Sequence, residues 1–113
     1  MTPEKIVQNA IIDYVKKLAK EGKKVKFWRR EAIGQAYEKG TPDLYGSING
    51  YHVEVECKRE AGGMLSPMQE KKKAEYISLG ILYISPKSLE EFKEAIKEVL
   101  NDESRVKRNH EEK

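Results

Sequence analysis

The sequence predicts an α/β domain in which helices cover a mixed sheet, with elements in the order α-β-β-β-α-β-α. Segments with helical spacing alternate with short β-like runs, and an Asn-Gly dipeptide at positions 49 and 50 lies between two such runs. A chain of 113 residues is long enough for one modest core and too short for two domains. We predict a single domain over residues 1–100 and a polar, disordered tail over 101–113.

The first third of the chain predicts a helix and then a strand. Thr2 is suited to cap the helix and Pro3 to occupy its first position, and apolar residues recur at helical spacing as far as Leu18. Gly22 ends this helix. The run "KKVKFW" alternates as a short strand does, and the polar run "RREAIGQAYEKG" predicts a loop that leads to "TPDLYGSI".

The middle of the chain predicts a β-hairpin whose register can be counted. With the Asn-Gly dipeptide as a two-residue turn, "DLYGSI" pairs antiparallel with "YHVEVECK". Counting outward places Tyr45 opposite Glu54 and Asp43 opposite Glu56. A strand bulge would shift these pairs by one residue, so the pairing depends on a regular hairpin.

The last third predicts a helix, a strand and a final helix. Ser66 and Pro67 open the first of these helices, Gly80 closes it, and "ILYIS" is an apolar strand after it. Ser88, with an acid three positions later, opens the final helix. The predicted buried face of that helix consists of Leu89, Phe92, Ile96, Val99 and Leu100.

Two acids are predicted to face each other at the open end of the hairpin. Directly opposed residues have Cβ atoms about 4.5–5.5 Å apart, so Asp43 and Glu56 would repel unless a cation lies between them. Mg²⁺ prefers carboxylate oxygens, and alternation puts Lys58 on the same strand face as Glu56. The alternative is a solvated face on which Glu54, Glu56 and Lys58 pair with neighbouring charges. The position of Asp43 favours the metal site over this alternative. The preceding proline is tolerated only at the start or edge of a strand, so Asp43 lies at a strand entrance beside a loop.

Basic residues concentrate in one segment of the chain. The net charge is +3, but residues 14–30 hold eight Lys and Arg against one acid, which is +7 in this segment and −4 elsewhere. Such a distribution suits a protein that binds a phosphate backbone with one part and cations with another. A solvated, lysine-rich helix end is the alternative. The candidates for phosphate contacts are Lys24, Lys26, Arg29 and Arg30.

The composition also bears on the cellular compartment. Cys57 is the only cysteine, which excludes an internal disulfide and a zinc site built from cysteine pairs. No apolar run approaches the roughly 18 residues of a membrane span, and the N-terminus lacks the apolar stretch of a signal peptide. We therefore expect a cytoplasmic protein in a reducing environment, without a membrane partner.

Three motifs, in order, resemble those of one nuclease family. "GTPDLYG", then "VEVECK", then "LSPMQ" are similar to the motifs of the VRR-NUC domain, which belongs to the PD-(D/E)xK superfamily. The resemblance covers nearly the whole chain from Glu4 to Ser85. It implies a restriction-endonuclease-like fold with an αβββαβ core, to which the last helix is an addition. It also implies a nuclease that depends on Mg²⁺ or Mn²⁺.

The resemblance assigns roles to particular residues. The aspartate after proline and the glutamate of Glu-x-Lys bind the metal in that family, and they correspond here to Asp43 and Glu56, with the backbone carbonyl of Cys57 as a further ligand. The matching lysine, Lys58, assists the attacking water. Glu54 departs from the pattern, as an additional acid two residues before the motif glutamate.

Three further assignments have structural alternatives. An acid near the start of the first helix is typical of the superfamily, and Glu4 matches by position, but any acid there also stabilises the helix dipole. Gln69 matches the active-site signature, yet it stands in capping-box spacing with Ser66. In the lysine run 71–73, Lys72 is the candidate for a DNA contact, although three consecutive helical lysines span too wide an arc for all to touch one strand.

The predicted function is therefore that of a metal-dependent DNA endonuclease. Stand-alone members of the family resemble junction-resolving enzymes, and a two-fold dimer most simply cuts a symmetric four-way junction, so we expect branched DNA and a homodimer. One alternative is a monomeric nickase or flap nuclease with the same site. Another is a non-catalytic nucleic-acid-binding module on the same fold, against which Asp43 and Glu56 argue, because a pure binder has no reason to concentrate acids where DNA would lie.

Overall fold

The computed structural model describes residues 2–30, 40–58 and 64–106. The elements are α1 (Pro3–Lys20), β1 (Val25–Arg29), β2 (Leu44–Ile48), β3 (Tyr51–Val55), α2 (Pro67–Ser78), β4 (Leu82–Ile84) and α3 (Leu89–Leu100). The predicted fold class, a mixed sheet flanked by helices, is confirmed. Most of the loop predicted between β1 and β2 falls in 31–39, outside the described residues. Within those ranges no helix is long and apolar enough to cross a membrane.

The four strands form one sheet in the order β1-β2-β3-β4. The pairs β1–β2 and β2–β3 are antiparallel, whereas the pair β3–β4 is parallel. The hairpin has the register counted from the sequence, with Tyr45 opposite Glu54. Its turn residues have φ values of 51° at Asn49 and 84° at Gly50, and positive φ at both positions is the type I′ geometry that fixes a two-residue hairpin.

One face of the sheet forms the core with α1 and α3. The buried strand residues on this face are Val25, Phe27, Leu44, Ile48, Val53, Val55 and Ile84. The helices contribute Ile11, Val15 and Leu18 from α1 and Phe92 and Ile96 from α3. Phe92 meets Phe27 edge-on at a centroid distance of 5.7 Å, and a Cβ added at Gly46 would lie 2.6 Å from the Phe27 ring. Glycine is therefore required at this position of β2, because the added Cβ would also lie 2.4 Å from the Lys26 carbonyl oxygen.

The opposite face of the sheet, called the polar face below, carries polar and aromatic side chains. By strand alternation and register these are Lys26, Trp28, Tyr45, Ser47, His52, Glu54 and Tyr83. Helix α2 packs against β4 on this side, where Tyr76 stacks on Tyr83 with ring centroids 6.3 Å apart. No residue of α2 is buried, and Trp28 and His52 remain exposed. The polar face is therefore only partly covered.

The segment after α3 contacts the hairpin through residues 102 and 105, which lie in the region predicted as a polar tail. The Tyr51 hydroxyl donates to Asp102, and the Arg105 guanidinium lies 4.2 Å from the Tyr51 ring centroid. The Asn49 side chain donates to two carbonyls at the end of α3, at 2.8 and 3.0 Å. The low apolar content of this segment did not predict these contacts, because polar and charged side chains make them. Residues 107–113 lie outside the described residues.

Candidate active site

Asp43 stands at the entrance of β2 and is fixed through its backbone and its carboxylate. Its carbonyl accepts a hydrogen bond from the Arg30 N–H at 2.8 Å, and its Oδ2 accepts one from the Cys57 N–H at 3.3 Å. The preceding Pro42 is fully buried. The carboxylate is thereby held beside the backbone that follows β3.

Glu56 extends β3 and brings its carboxyl group to that of Asp43. The Glu56 N–H donates to the Ile84 carbonyl at 2.9 Å, which continues the pairing with β4. Burial and the hydrogen-bonded Asp43 carboxyl raise the pKa of Glu56 from 4.5 to about 8, against the opposing effect of Lys58 and Gln69. At neutral pH the Glu56 carboxyl therefore keeps its proton beside Asp43, as expected of paired acids in one site.

Lys58 and Gln69 form a second hydrogen-bonded pair next to these acids. Lys58 Nζ donates to Gln69 Oε1 at 2.9 Å, and the same oxygen accepts from the Ser66 N–H at 2.8 Å. Ser66 Oγ accepts from the Gln69 N–H at 3.2 Å, so the predicted capping box is present. Gln69 thus caps α2 and orients Lys58 at the same time.

A close backbone contact sets α2 against the strand entrance. Gly40 has a φ of +83°, and a Cβ added there would lie 2.5 Å from the Met68 carbonyl oxygen. Only glycine fits both the conformation and the space. This contact holds the first turn of α2, which carries Gln69, close to the segment that carries Asp43.

Glu54 belongs to a separate, buried ion-pair cluster. Its fully buried carboxylate contacts the Arg30 guanidinium at 2.5 and 2.9 Å and His52 Nε2 at 2.5 Å. Both of its oxygens are therefore engaged by nitrogen donors of the protein. Sequence reasoning missed Arg30 as the partner, because Arg30 is 24 positions away and follows a strand that β2 separates from β3.

Glu4 and Arg29 lie on the α1 side of the site. Glu4 occupies the first turn of α1, and it contributes to raising the pKa of the Cys57 thiol, which burial, Asp43 and Glu56 raise more strongly. Arg29 donates to side chains of α1, including Gln8 Oε1 at 3.1 Å. Glu4 is therefore near the site, while Arg29 joins α1 to β1.

The remaining predicted DNA-binding residues are lysines at the surface. Lys24 and Lys26 are exposed at the start of β1. Lys72 lies on α2, with its Nζ 3.5 Å from a Glu75 carboxylate oxygen. These lysines do not converge with the carboxyl pair in any contact that the structure describes, so their role stays a prediction.

Comparison with known proteins identifies the fold. Neither a family model nor a curated protein matches the chain. A solved structure described as "VRR_NUC domain" superposes with a TM-score of 0.68 at 19% identity, covering 86% of this chain and 97% of that one. Another, "VRR_NUC domain protein", has a TM-score of 0.67 at 16% identity and covers 88% of each chain. The chain has the fold of a VRR-NUC domain. The fold expected from the three sequence motifs is thus confirmed.

The carboxyl pair of this VRR-NUC fold fits a small divalent cation. Within the described ranges no group of three or more His, Cys, Asp and Glu side chains could hold a metal ion. Mg²⁺ needs less than that, since it usually binds one or two carboxylates together with waters and substrate oxygens. The raised pKa of Glu56 beside Asp43 marks the place where negative charge is crowded, and the Cys57 backbone lies against Asp43.

Proposed function

We propose that the protein is a metal-dependent DNA endonuclease that hydrolyses phosphodiester bonds. The observation that carries this proposal is the contact between the carboxyl groups of Asp43 and Glu56 beside the Lys58–Gln69 pair. Phosphodiester hydrolysis needs anionic ligands for a cation and a fixed cationic donor near the reacting atoms, and these residues provide both. The VRR-NUC fold agrees with this assignment.

Each residue of the site has a proposed task. Asp43, Glu56 and the Cys57 carbonyl would hold Mg²⁺ or Mn²⁺, which when bound supplies Lewis acidity toward the scissile phosphate and offsets its charge. Lys58, oriented by Gln69, holds the attacking water in line. Hydrolysis joins the oxygen of that water to phosphorus as the bond from phosphorus to a sugar oxygen breaks; the water loses a proton to solvent and the departing oxygen gains one, which leaves a phosphate monoester and a sugar hydroxyl. Glu4 is proposed to support the site from α1.

Exposed lysines are proposed to bind the phosphates that flank the cleavage site. Lys16, Lys20 and Lys26 line one cleft between α1 and β1. Arg29 and Arg30, predicted for the same role, have protein partners in α1 and at Glu54. We therefore expect the lysines to account for most of the salt dependence of DNA binding, since each neutralised phosphate releases counterions.

Branched DNA is the proposed substrate and a homodimer the proposed active form. A four-way junction has two equivalent strands to cut, and two copies of one site related by a two-fold axis would reach both. The mass in solution should then be twice that of the 13.0 kDa chain. Paired nicks should appear symmetrically across the junction.

The proposal is tested by incubating the protein with labelled duplex, flap, splayed-arm and four-way-junction DNAs in Mg²⁺, Mn²⁺ or EDTA. We expect cleavage of the branched substrates in either metal and none in EDTA. Asp43→Asn and Glu56→Gln should abolish cleavage while preserving DNA binding, because each removes a carboxylate ligand of the cation and adds no negative charge near the phosphate. Cleavage that persists in both variants would refute the assignment of the site.

The assembly is tested separately by light scattering of the same samples. A monomer that still cuts junctions in symmetric pairs would contradict the homodimer. A dimer that cuts only flaps would contradict the junction substrate and leave the chemistry standing.

A further inference from the structure

An exposed aromatic stack lies on the polar face outside the carboxyl pair. Trp28 is 44% exposed, and its indole stacks on the Tyr45 ring with centroids 5.4 Å apart and planes 20° apart. Tyr45 is itself held by Arg30, whose guanidinium lies 4.6 Å from the ring centroid and is bound to the buried Glu54. The exposed indole is therefore supported by an ordered set of side chains that reaches into the interior.

This stack lies on the same side of the sheet as the candidate active site. Tyr45 follows Asp43 by two residues on β2, which is about 7 Å at the usual rise per residue. Trp28 is directly across from Tyr45 on β1. Stacked nucleotides rise by roughly 3.4 Å along a strand, so a nucleic acid bound at Asp43 would bring a base within about two or three positions to Trp28.

The charges around the stack suit a nucleic-acid strand. The Lys26 ammonium lies 5.9 Å from the centroid of the Trp28 ring, and the same lysine lines the basic cleft between α1 and β1. Glu54, the acid of the polar face nearest to this stack, is paired with Arg30 and His52. A polyanion can therefore approach the indole, with Lys26 placed to contact its phosphates.

We infer that Trp28, supported by Tyr45 and flanked by Lys26, is a stacking surface for an unpaired base of the DNA substrate close to the scissile phosphate. Stacking of a base on an aromatic side chain is tolerant of sequence, because every base has a π-face. Bases inside a continuous duplex already have both faces covered, so this surface selects strands with unpaired bases. That DNA is the strand bound here rests on the proposed function.

Fluorescence provides a direct test, because Trp28 is the only tryptophan in the sequence. The wild-type protein is titrated in EDTA with oligothymidylate, with an abasic oligonucleotide of the same length and with a continuous duplex, while anisotropy of a labelled strand reports binding. We expect oligothymidylate to quench the indole emission strongly. The abasic strand and the duplex should bind with little quenching.

Variants at the same position separate stacking from apolar contact. Trp28→Leu keeps an apolar side chain without a ring, and it should weaken binding of oligothymidylate by about fivefold or more, since stacking contributes on the order of 1–3 kcal/mol per base. Trp28→Phe should retain most of the affinity. Lys26→Ala should weaken binding of the thymidylate and abasic strands equally and reduce the salt dependence of both.

Three results would overturn the inference. The first is unchanged indole emission when anisotropy shows that oligothymidylate is bound, and the second is equal affinity of Trp28→Leu and wild type. The third is a protein dimer that Trp28→Leu converts to a monomer without any effect of DNA on the indole, which would make this surface an interface between two copies. Quenching in a protein that cuts no DNA would support the stacking role of Trp28 and refute the proposed nuclease activity. Cleavage of DNA without quenching would support the nuclease activity and refute the stacking role.

Discussion

Asp43 and Glu56 hold their carboxyl groups in hydrogen-bonding contact across the end of the β2–β3 hairpin, next to a lysine that does not neutralise them. Burial and Asp43 raise the pKa of Glu56 to about 8 in spite of Lys58. Two acids held this way destabilise the ionised, metal-free site. The response of this pair to protons and to added metal ions is measurable.

The metal-free protein should lose stability as the pH rises from about 4.5 to 8. Glu56 has a pKa of about 8 in the folded chain against an ordinary value of 4.5, so in this window the folded state retains a proton that the unfolded state releases. The stabilising contribution of that proton is complete below pH 4.5 and is lost as the pH passes 8. Thermal melting in EDTA across this range measures the effect.

Glu56→Gln is the matched control for this pH series, because an amide does not titrate. The decline in melting temperature between pH 4.5 and 8 should be smaller in Glu56→Gln than in the wild type. Parallel pH profiles for the two proteins would show that Glu56 is ionised in the folded state, contrary to the prediction.

Adding Mn²⁺ should raise the melting temperature, and by more at pH 8 than at pH 6. A metal that binds only the folded state stabilises it by mass action, and here it must displace the Glu56 proton, which is easier at the higher pH. Asp43→Asn and Glu56→Gln should each lose this stabilisation. An equal response in Glu56→Gln would place the Mn²⁺ elsewhere.

Glu54→Gln should destabilise the fold while leaving the response to Mn²⁺ intact. The change removes the charge that pairs with Arg30 in a buried site, and breaking such a pair typically costs about 3–5 kcal/mol. Urea denaturation measures the loss in the free energy of unfolding. Measurable nuclease activity should remain in the folded fraction.

The double variant Glu54→Gln, Arg30→Met is the control for the ion pair. It removes both charges, so it should be more stable than Glu54→Gln alone. A Glu54→Gln protein with normal stability but no response to Mn²⁺ would contradict the separation of Glu54 from the metal site.

The carboxyl pair was predictable from sequence because one local feature determines it. A type I′ turn at the Asn-Gly dipeptide fixes the hairpin register. In the fourth residue pair counted from the turn, Tyr45 lies opposite Glu54, as the sequence predicted. The capping box at Ser66 was equally local. Interactions between neighbours in sequence, or across a two-residue turn, leave a pattern that can be recognised without the rest of the chain.

The partner of Glu54 and the stack of Trp28 on Tyr45 were not predictable in the same way. Both depend on how β1 pairs with β2, and the sequence between those strands carries no motif that predicts a turn of defined length. The sequence therefore shows the charges and rings but not which ones meet. Arg30 was expected to contact DNA, and only the β1–β2 register brings it to Glu54.

Gln69→Ala and Ser66→Ala should lower stability alike but differ in activity. Each removes one half of the capping box at the start of α2, which costs about 1 kcal/mol. Only Gln69→Ala also removes the oxygen that accepts a hydrogen bond from Lys58, so the cleavage rate should fall much further in that variant. Cleavage kinetics and urea denaturation of both variants test this. Equal cleavage rates in the two variants would show that Gln69 only caps α2 and does not contribute to catalysis.

Gly40→Ala should disrupt the site more than it disrupts the fold, and Gly22→Ala provides the matched control. Both glycines have strongly positive φ, +83° and +93°, so alanine at either position costs about 1–2 kcal/mol of backbone strain. At Gly22 no atom of residues 2–30, 40–58 or 64–106 beyond its chain neighbours lies within 4 Å of the added Cβ, whereas at Gly40 the Met68 carbonyl oxygen is 2.5 Å away. Relief of that overlap requires α2 to move, and Gln69, which orients Lys58, moves with it away from Asp43. Gly40→Ala should therefore lose an additional 1–3 kcal/mol, roughly, in urea denaturation and most of its cleavage rate, while Gly22→Ala keeps its rate. A Gly40→Ala protein that cuts DNA at the wild-type rate would show that the position of α2 relative to the carboxyl pair does not govern catalysis.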